Sequence, residues 1–290
     1  MNDEAPWTAE QIGRALEALR QRMDVERRAQ FAPFGLPAEC RWPASRVYHQ
    51  HSSMGPEWTG TLTVAEVEAL TLNLDYKRYP GAPTIALPRP EPLTASFEAL
   101  IRRRRSARTF SRRTVSQREL AKLLELSAGV TAPLEVPRRA APSPGGLYPV
   151  EVYPLVFSLE ALTPGVYHYA ALDHALELVR PVAGFDVMRE FLPPDLFDSG
   201  PPLVLALTVV FARVQAKYLE RGYRFALLEA GHIAQNILLA ATALDLHAVP
   251  VGGFWDEPFN ALLGLEPATE AVVYAILIGG ADREPDAPSI

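Results

Sequence analysis

The 290-residue sequence carries a single cysteine, Cys40. One thiol can form neither an intramolecular disulfide nor a thiolate metal cluster, and such usage suits a reducing cytoplasm. There is no surplus of positive charge, since 28 Lys and Arg face 34 Asp and Glu for a net charge of −6. A nucleic acid or an anionic membrane surface would demand the opposite balance, so neither is expected as a partner. No run of uncharged apolar residues approaches the roughly 20 needed to span a bilayer. The N-terminus, MNDEAPWTAEQ, is acidic and polar rather than basic and then apolar, which argues against a secretory signal. These absences together predict a soluble, cytoplasmic protein.

Several chemical signatures are missing too. There is no G-x-G-x-x-G after a strand, no G-x-x-x-x-G-K-[ST] and no G-x-S-x-G. An oxidoreductase with this sequence would have to hold its cofactor by a route other than the Rossmann fingerprint. His49 and His51 are the only H-x-H pair, and no carboxylate or cysteine pattern completes a zinc site, so no metal is expected.

What is present is 48% apolar content, ample for a full core. Thr8-Ala-Glu-Gln11 reads as a capping box opening an amphipathic helix over residues 9 to about 29. Residues 31–58 are rich in Pro, aromatics and His without periodicity. Thr63-Val-Ala-Glu66 opens a second capped helix toward Asn73. Five prolines between Tyr79 and Pro92 predict an extended connector. Helices are predicted at Ser96–Arg104 and from the box Ser116-Gln-Arg-Glu119 to Ala128, with Gly129 as the stop. Strands are predicted at 151–157, 165–169, 175–179, 203–211, 247–254 and 270–278 from their Val, Leu and Tyr content. Residues 224–244, apolar nearly all round, predict a long buried helix. Consecutive strands mixed with helices indicate an α+β fold, with residues 1–78 as an N-terminal extension and 79–290 as the main domain.

Four segments carry candidate chemistry. Arg104, Arg105, Ser106 and Arg108 offer guanidinium forks and a hydroxyl at a helix end, a set suited to a phosphate dianion; a solvated basic face would look the same. Pro142-Ser-Pro-Gly-Gly-Leu-Tyr-Pro149 contains a glycine pair and Ser143, either a surface for a flat ligand or an ordinary turn. Lys217-Tyr218 could supply a base and a hydrogen-bond donor, or be a surface dipeptide. Downstream, Glu229-Ala-Gly-His-Ile-Ala-Gln-Asn236 sets polar residues in an apolar helix, where burial would require partners. Gly252 and Gly253 end a strand and either border a ligand or make a tight turn.

The order and spacing of these segments, with Gly165-Val-Tyr-His-Tyr169, resemble the SagB-type dehydrogenases of the FMN-dependent nitroreductase-like superfamily. The resemblance runs from about Tyr79 to Gly280, and Tyr48-His-Gln-His51 is similar to a segment that opens many members. It implies a mainly antiparallel sheet flanked by helices in an intertwined homodimer, with FMN at the subunit interface. By the same resemblance, Arg104, Arg105, Ser106 and Arg108 would hold the FMN phosphate and ring. Pro142, Ser143, Gly145, Gly146 and Leu147 would come from the facing subunit. Gly252 and Gly253 would border the reactive edge, and Arg283 would add a phosphate contact. Pro144 departs from the family pattern, removing one backbone donor.

The activity so implied is dehydrogenation of peptide thiazolines or oxazolines to azoles. Lys217 would take the Cα proton, and Tyr218 would orient Lys217 or donate a hydrogen bond as charge develops. A peptide-modifying cyclodehydratase is the implied partner and dioxygen the implied oxidant. An NAD(P)H-dependent nitro- or quinone reductase would share the same flavin site. A non-catalytic scaffold of a peptide-modifying complex is the third reading.

Overall fold

The computed structural model describes residues 48–53, 65–66, 69, 76–89, 91–111, 113–192 and 200–281. The chain divides into two compact units, Met1–Trp58 and Thr59–Ile290. In the first, residues 48–51 form a helical turn, which Ser52 closes by donating its hydroxyl to the Tyr48 carbonyl. The helix expected over 9–29 lies outside the described residues. Of the one expected over 63–73, residues 65, 66 and 69 are helical.

The second unit is built on seven strands: β1 (Thr84–Ala86), β4 (Val150–Val156), β5 (Gly165–Ala170), β6 (Ala175–Pro181), β7 (Leu203–Val210), β8 (Leu246–Val251) and β9 (Glu270–Gly280). They lie in the order β1-β6-β5-β4-β7-β9-β8, and every neighbouring pair is antiparallel. A small hairpin, β2 (Val130–Ala132) and β3 (Arg138–Arg139), stands apart. The helices are α1 (Phe97–Arg103), α2 (Gln117–Ala128), α3 (Phe211–Tyr218), α4 (Arg221–Ala243) and α5 (Asp256–Leu263). The fold is therefore α+β, a large antiparallel sheet flanked by helices.

Strand β7, Leu-Val-Leu-Ala-Leu-Thr-Val-Val, shows why the sheet sits at the centre. Alternate side chains point to opposite faces. Leu203, Leu205, Leu207 and Val209 join the core beneath α2 and α4, where Leu120, Leu124, Ile233 and Ile237 are buried. Val204 and Ala206 join Phe191, Phe259 and Leu277 on the other face. A strand apolar on both sides has to be central. Helix α2 starts at the predicted capping box, with Ser116 Oγ accepting from the Glu119 N–H and Glu119 accepting from the Ser116 N–H.

Two expectations change. The connector between Tyr79 and Pro92 contains β1, which pairs with β6 at the sheet edge. Pro83 and Pro88 flank this strand, which the sheet tolerates because an edge strand leaves one row of N–H groups unused. Helix α4 is not buried all round. Leu227 and Leu228 are 41% and 59% exposed, and Gly231, His232 and Gln235 continue that outward stripe. Among the described residues no helix is long and apolar enough to cross a membrane.

Strand registers bring the segment before β4 and helix α3 to one end of the sheet. The Arg104–Arg108 segment runs along β8, with Ala107 bonded to Ala248, whose partner Ile278 pairs with Leu203 toward the other end. Val150 at the start of β4 pairs with Val209 at the end of β7, Val210 pairs with Glu270 at the start of β9, and Val251 at the end of β8 pairs with Ala275. Strands β4 and β8 are three spacings apart, about 14 Å.

Candidate active site

Before β4 the chain makes a 3-10 turn over Pro144–Gly146. Pro144 opens it, a position whose N–H has no intrahelical partner in any case. Gly145 and Gly146 take φ values of 64° and 69°, and Tyr148 follows at 44°. Ser143 Oγ accepts the Tyr148 N–H at 2.8 Å, tying the turn to itself.

Over this turn lies the end of α3. A Cβ atom added at Gly145 would stand 2.9 Å from Lys217 Nζ and 3.0 Å from the Tyr218 hydroxyl. Glycine there thus satisfies both the left-handed backbone and the space taken by the two side-chain tips. Lys217 Nζ is 5.0 Å from the centroid of the Tyr218 ring, and that ring meets Phe225 edge-on at 4.9 Å. The structure therefore gathers Ser143, Gly145, Gly146, Lys217 and Tyr218 in one place. Pro142 is exposed, whereas Leu147 is wholly buried beneath.

The second group lies on the free edge of β8. The Ala107 N–H donates to the Ala248 carbonyl at 3.1 Å, His247 Nδ1 lies 2.8 Å from the Thr109 carbonyl, and the Ser111 N–H donates to Gly280. Arg104 ends α1, and its Nη1 approaches Ser106 Oγ at 3.5 Å. Arg105 donates to the carbonyls of Arg102 and Arg104. Arg105, Ser106 and Arg108 are exposed. Gly252 and Gly253, also exposed, follow β8, and a Cβ at Gly253 would meet nothing within 4 Å. Arg283 lies outside the described residues.

A buried polar network supports the first group, and the sequence reading did not single it out. Arg213, one helical turn before Lys217, donates through Nη1 to the Tyr148 carbonyl at 3.0 Å and to Glu151 Oε1 at 2.5 Å. Glu151 Oε2 lies 3.1 Å from His168 Nε2, and His168 Nδ1 lies 2.8 Å from Glu177 Oε2. Burial alone would raise the Glu151 carboxyl; the His168 hydrogen bond and the Arg213 guanidinium outweigh it and hold the group down at about 2. The available signal was the presence of Glu151, His168 and Glu177 inside largely apolar strands, because charges in such places require partners.

Glu229 on α4 behaves oppositely. Burial pushes its carboxyl up to about 7, against the lowering effects of Ser143 and Arg139, and its Oε2 is buried without a hydrogen-bond partner. Of the polar residues in its helix segment, His232 is exposed and Glu229 is buried. Gly231 is exposed, with nothing within 4 Å of an added Cβ. Among the described residues no group of three or more His, Cys, Asp or Glu side chains could hold a metal ion.

The family model described as the nitroreductase family matches residues 101–280. The nitroreductase-type protein MJ1384 of Methanocaldococcus jannaschii is 30% identical over 184 residues, covering 63% of this chain and 91% of its own length. The microcin B17-processing protein McbC of Escherichia coli is 33% identical over 170 residues, covering 57% of this chain and 62% of McbC. The solved E. coli microcin synthetase complex McbBCD, with truncated pro-MccB17 bound, contains a chain that superposes with a TM-score of 0.59 at 26% identity. That match covers 82% of this chain and 92% of that one.

Proposed function

Because the chain belongs to the nitroreductase family and is an oxidoreductase, we propose that it binds FMN and oxidises thiazoline or oxazoline rings of a modified peptide to azoles. The observation that carries this reading is the seating of the Lys217 and Tyr218 tips together on the Gly145 turn. A base and a phenolic donor held side by side over an exposed glycine suit proton removal from a flat ring.

The residues present fit the cofactor. Arg104, Arg105 and Arg108 with Ser106 form a phosphate-binding donor set beside β8. The open backbone at Gly252 and Gly253 leaves room for the edge of a planar ring. Ser143, Gly145 and Gly146, in the group around Lys217, would reach the flavin from the facing subunit of the dimer. FMN held here would supply the hydride acceptor for the azoline ring. Lys217 Nζ takes the proton from the adjacent ring carbon, so that one proton and one hydride depart and a ring double bond forms. Tyr218 donates a hydrogen bond as charge develops. Alignment of these groups is the protein's contribution, since aromatisation supplies the driving force.

We further infer a homodimer, supported by the apolar side chains left outside: Phe97 on α1 at 70% exposure, with Ile101 and the α4 leucines Leu227 and Leu228. The McbC relative is named for processing microcin B17, and its solved complex holds a pro-peptide. By that likeness this chain acts beside a peptide-modifying cyclodehydratase.

The test is turnover of an azoline-containing peptide by the purified protein, with the chromophore identified by mass. Lys217→Ala should keep FMN and lose azoline oxidation by roughly 10²- to 10⁴-fold, the usual worth of a general base. Full turnover by that variant would remove Lys217 from the chemistry. The likeness to MJ1384 over 91% of its length favours a second reading, an NAD(P)H-dependent reductase. NAD(P)H oxidation with nitro or quinone acceptors that Lys217→Ala leaves intact would select it.

A further inference from the structure

We infer that Arg213 is a positioning residue for Lys217, locking α3 to the Ser143–Tyr148 turn so that the lysine and tyrosine tips stay seated at Gly145. The inference rests on the reading of Lys217-Tyr218 as the catalytic pair, and deepens it.

Helix α3 packs on α4 through Phe211 against Tyr223 and Tyr218 against Phe225, but little in its own sequence fixes its ends. It is eight residues long, its first residue follows Val210 with no side-chain cap, and it ends on Leu219 at a φ of 47°. Helices this short depend on tertiary anchors. Val214 supplies one by burial and the Phe211 N–H another, by donating to the Thr269 carbonyl. The Val210 N–H bonds the Pro149 carbonyl at the start of the helix, yet none of these contacts reaches the turn itself. Arg213 does, with a side chain only 10% exposed.

Both acceptors of Arg213 are themselves fixed points. Tyr148 is held by its N–H to Ser143 Oγ, by its hydroxyl, which receives the Arg139 N–H at 3.1 Å, and by the Arg139 guanidinium stacked 4.8 Å from its ring centroid. Glu151 is held on its other oxygen by His168, which is braced in turn by Glu177. One nitrogen, Nη1, spans from the first fixed point to the second. Residues four apart share a helix face, so fixing residue 213 against the turn sets where residue 217 falls.

The chain has three lysines, Lys77, Lys122 and Lys217, and the first two are paired with Glu270 and Glu125. They serve as internal references when the full-length protein is acetylated with an N-hydroxysuccinimide ester and each site is followed by mass spectrometry. Arg213→Met should raise labelling of Lys217 several-fold relative to Lys122. Arg213→Lys, which keeps a cationic donor on the same helix face, should restore part of the protection.

In turnover, Arg213→Met should lose roughly 10- to 100-fold, as small misplacements of a reacting group do. Its isotope effect with azoline deuterated at Cα should rise. A variant that was merely less well folded would keep the parent isotope effect, because its intact molecules would turn over normally. If Arg213→Met does not fold, Arg213→Met with Glu151→Gln removes both charges of the pair and should label like the predicted single variant. Parent-like labelling and isotope effect in either folded variant, with Lys217→Ala inactive, would overturn the positioning role. Full turnover by Lys217→Ala would instead sink the catalytic reading, while the labelling still reports on the seat itself.

Discussion

Gly145 and Lys217 occupy adjoining space: a methyl group on the glycine would lie 2.9 Å from the lysine Nζ, and nearly as close to the Tyr218 hydroxyl. The atoms in the way are the free ends of flexible side chains, so an alanine would be accommodated by moving them. The φ of 64° at this position adds about 1–2 kcal/mol of backbone cost for a non-glycine residue. Gly145→Ala is therefore expected to lower the melting temperature modestly while reducing azoline turnover tenfold or more (about 1.4 kcal/mol). Thermal melts beside kcat would check this; unchanged turnover in a folded variant would show that the seat is dispensable.

Arg108 is exposed and Arg104 half-buried, and neither belongs to the packed core, so their loss should be felt chiefly by the cofactor. Charge-assisted hydrogen bonds are worth about 1.5–3 kcal/mol when well formed, and less at exposed positions. Arg104→Ala with Arg108→Ala should weaken FMN binding by roughly 10- to 100-fold and leave the melting temperature of the flavin-free protein in place. Fluorescence titration with FMN would measure it. Undiminished flavin content would refute the phosphate assignment.

Glu229 predicts a pH signature. The folded chain holds its carboxyl protonated up to about pH 7, whereas the unfolded carboxyl ionises near 4.5. Between those values the folded state binds the extra proton, so stability declines as pH rises through the window. The penalty is complete above pH 7, at about 3 kcal/mol. Glu229→Gln should be the more stable protein at pH 8, with the difference vanishing near pH 4. Denaturant midpoints at both pH values would decide it, and an equal gap at both would rule out titration as the cause.

Leu228 stands 59% exposed on α4. In a monomer Leu228→Glu would change stability by no more than about 0.5 kcal/mol. If this face joins two copies, the substitution buries a carboxylate, and sedimentation velocity should show a shift from dimer to monomer together with weaker FMN retention. A dimer that survives the change would move the interface elsewhere.

Much of this was legible residue by residue. The Ser116–Glu119 capping box, the double-sided apolar run of β7 and the Gly129 stop are local signals, and the structure shows each where the sequence places it. The segments around Arg104–Arg108, Pro142–Tyr148, Lys217-Tyr218 and Gly252-Gly253 stood out by residue type and order. Helix α3 escaped because its eight residues follow directly on a strand, with no glycine, proline or cap to mark the change. Strand β1 escaped because prolines that forbid a central strand are harmless at an edge.

The sequence by itself determined the fold class, the elements with strong periodicity or caps, and the family to which the chain belongs, because each depends on local dihedral preference or residue type. Tertiary structure alone decided which groups meet. The register pairing Val150 with Val209, and the Val210 N–H with the Pro149 carbonyl, carries the Gly145 turn beside the start of α3. From that pairing follow the contact of Gly145 with Lys217 and the reach of Arg213 to Tyr148 and Glu151. It also took the packed structure to choose which stripe of α4 faces outward, since an all-round apolar helix carries no preferred face until the sheet and α2 cover one side.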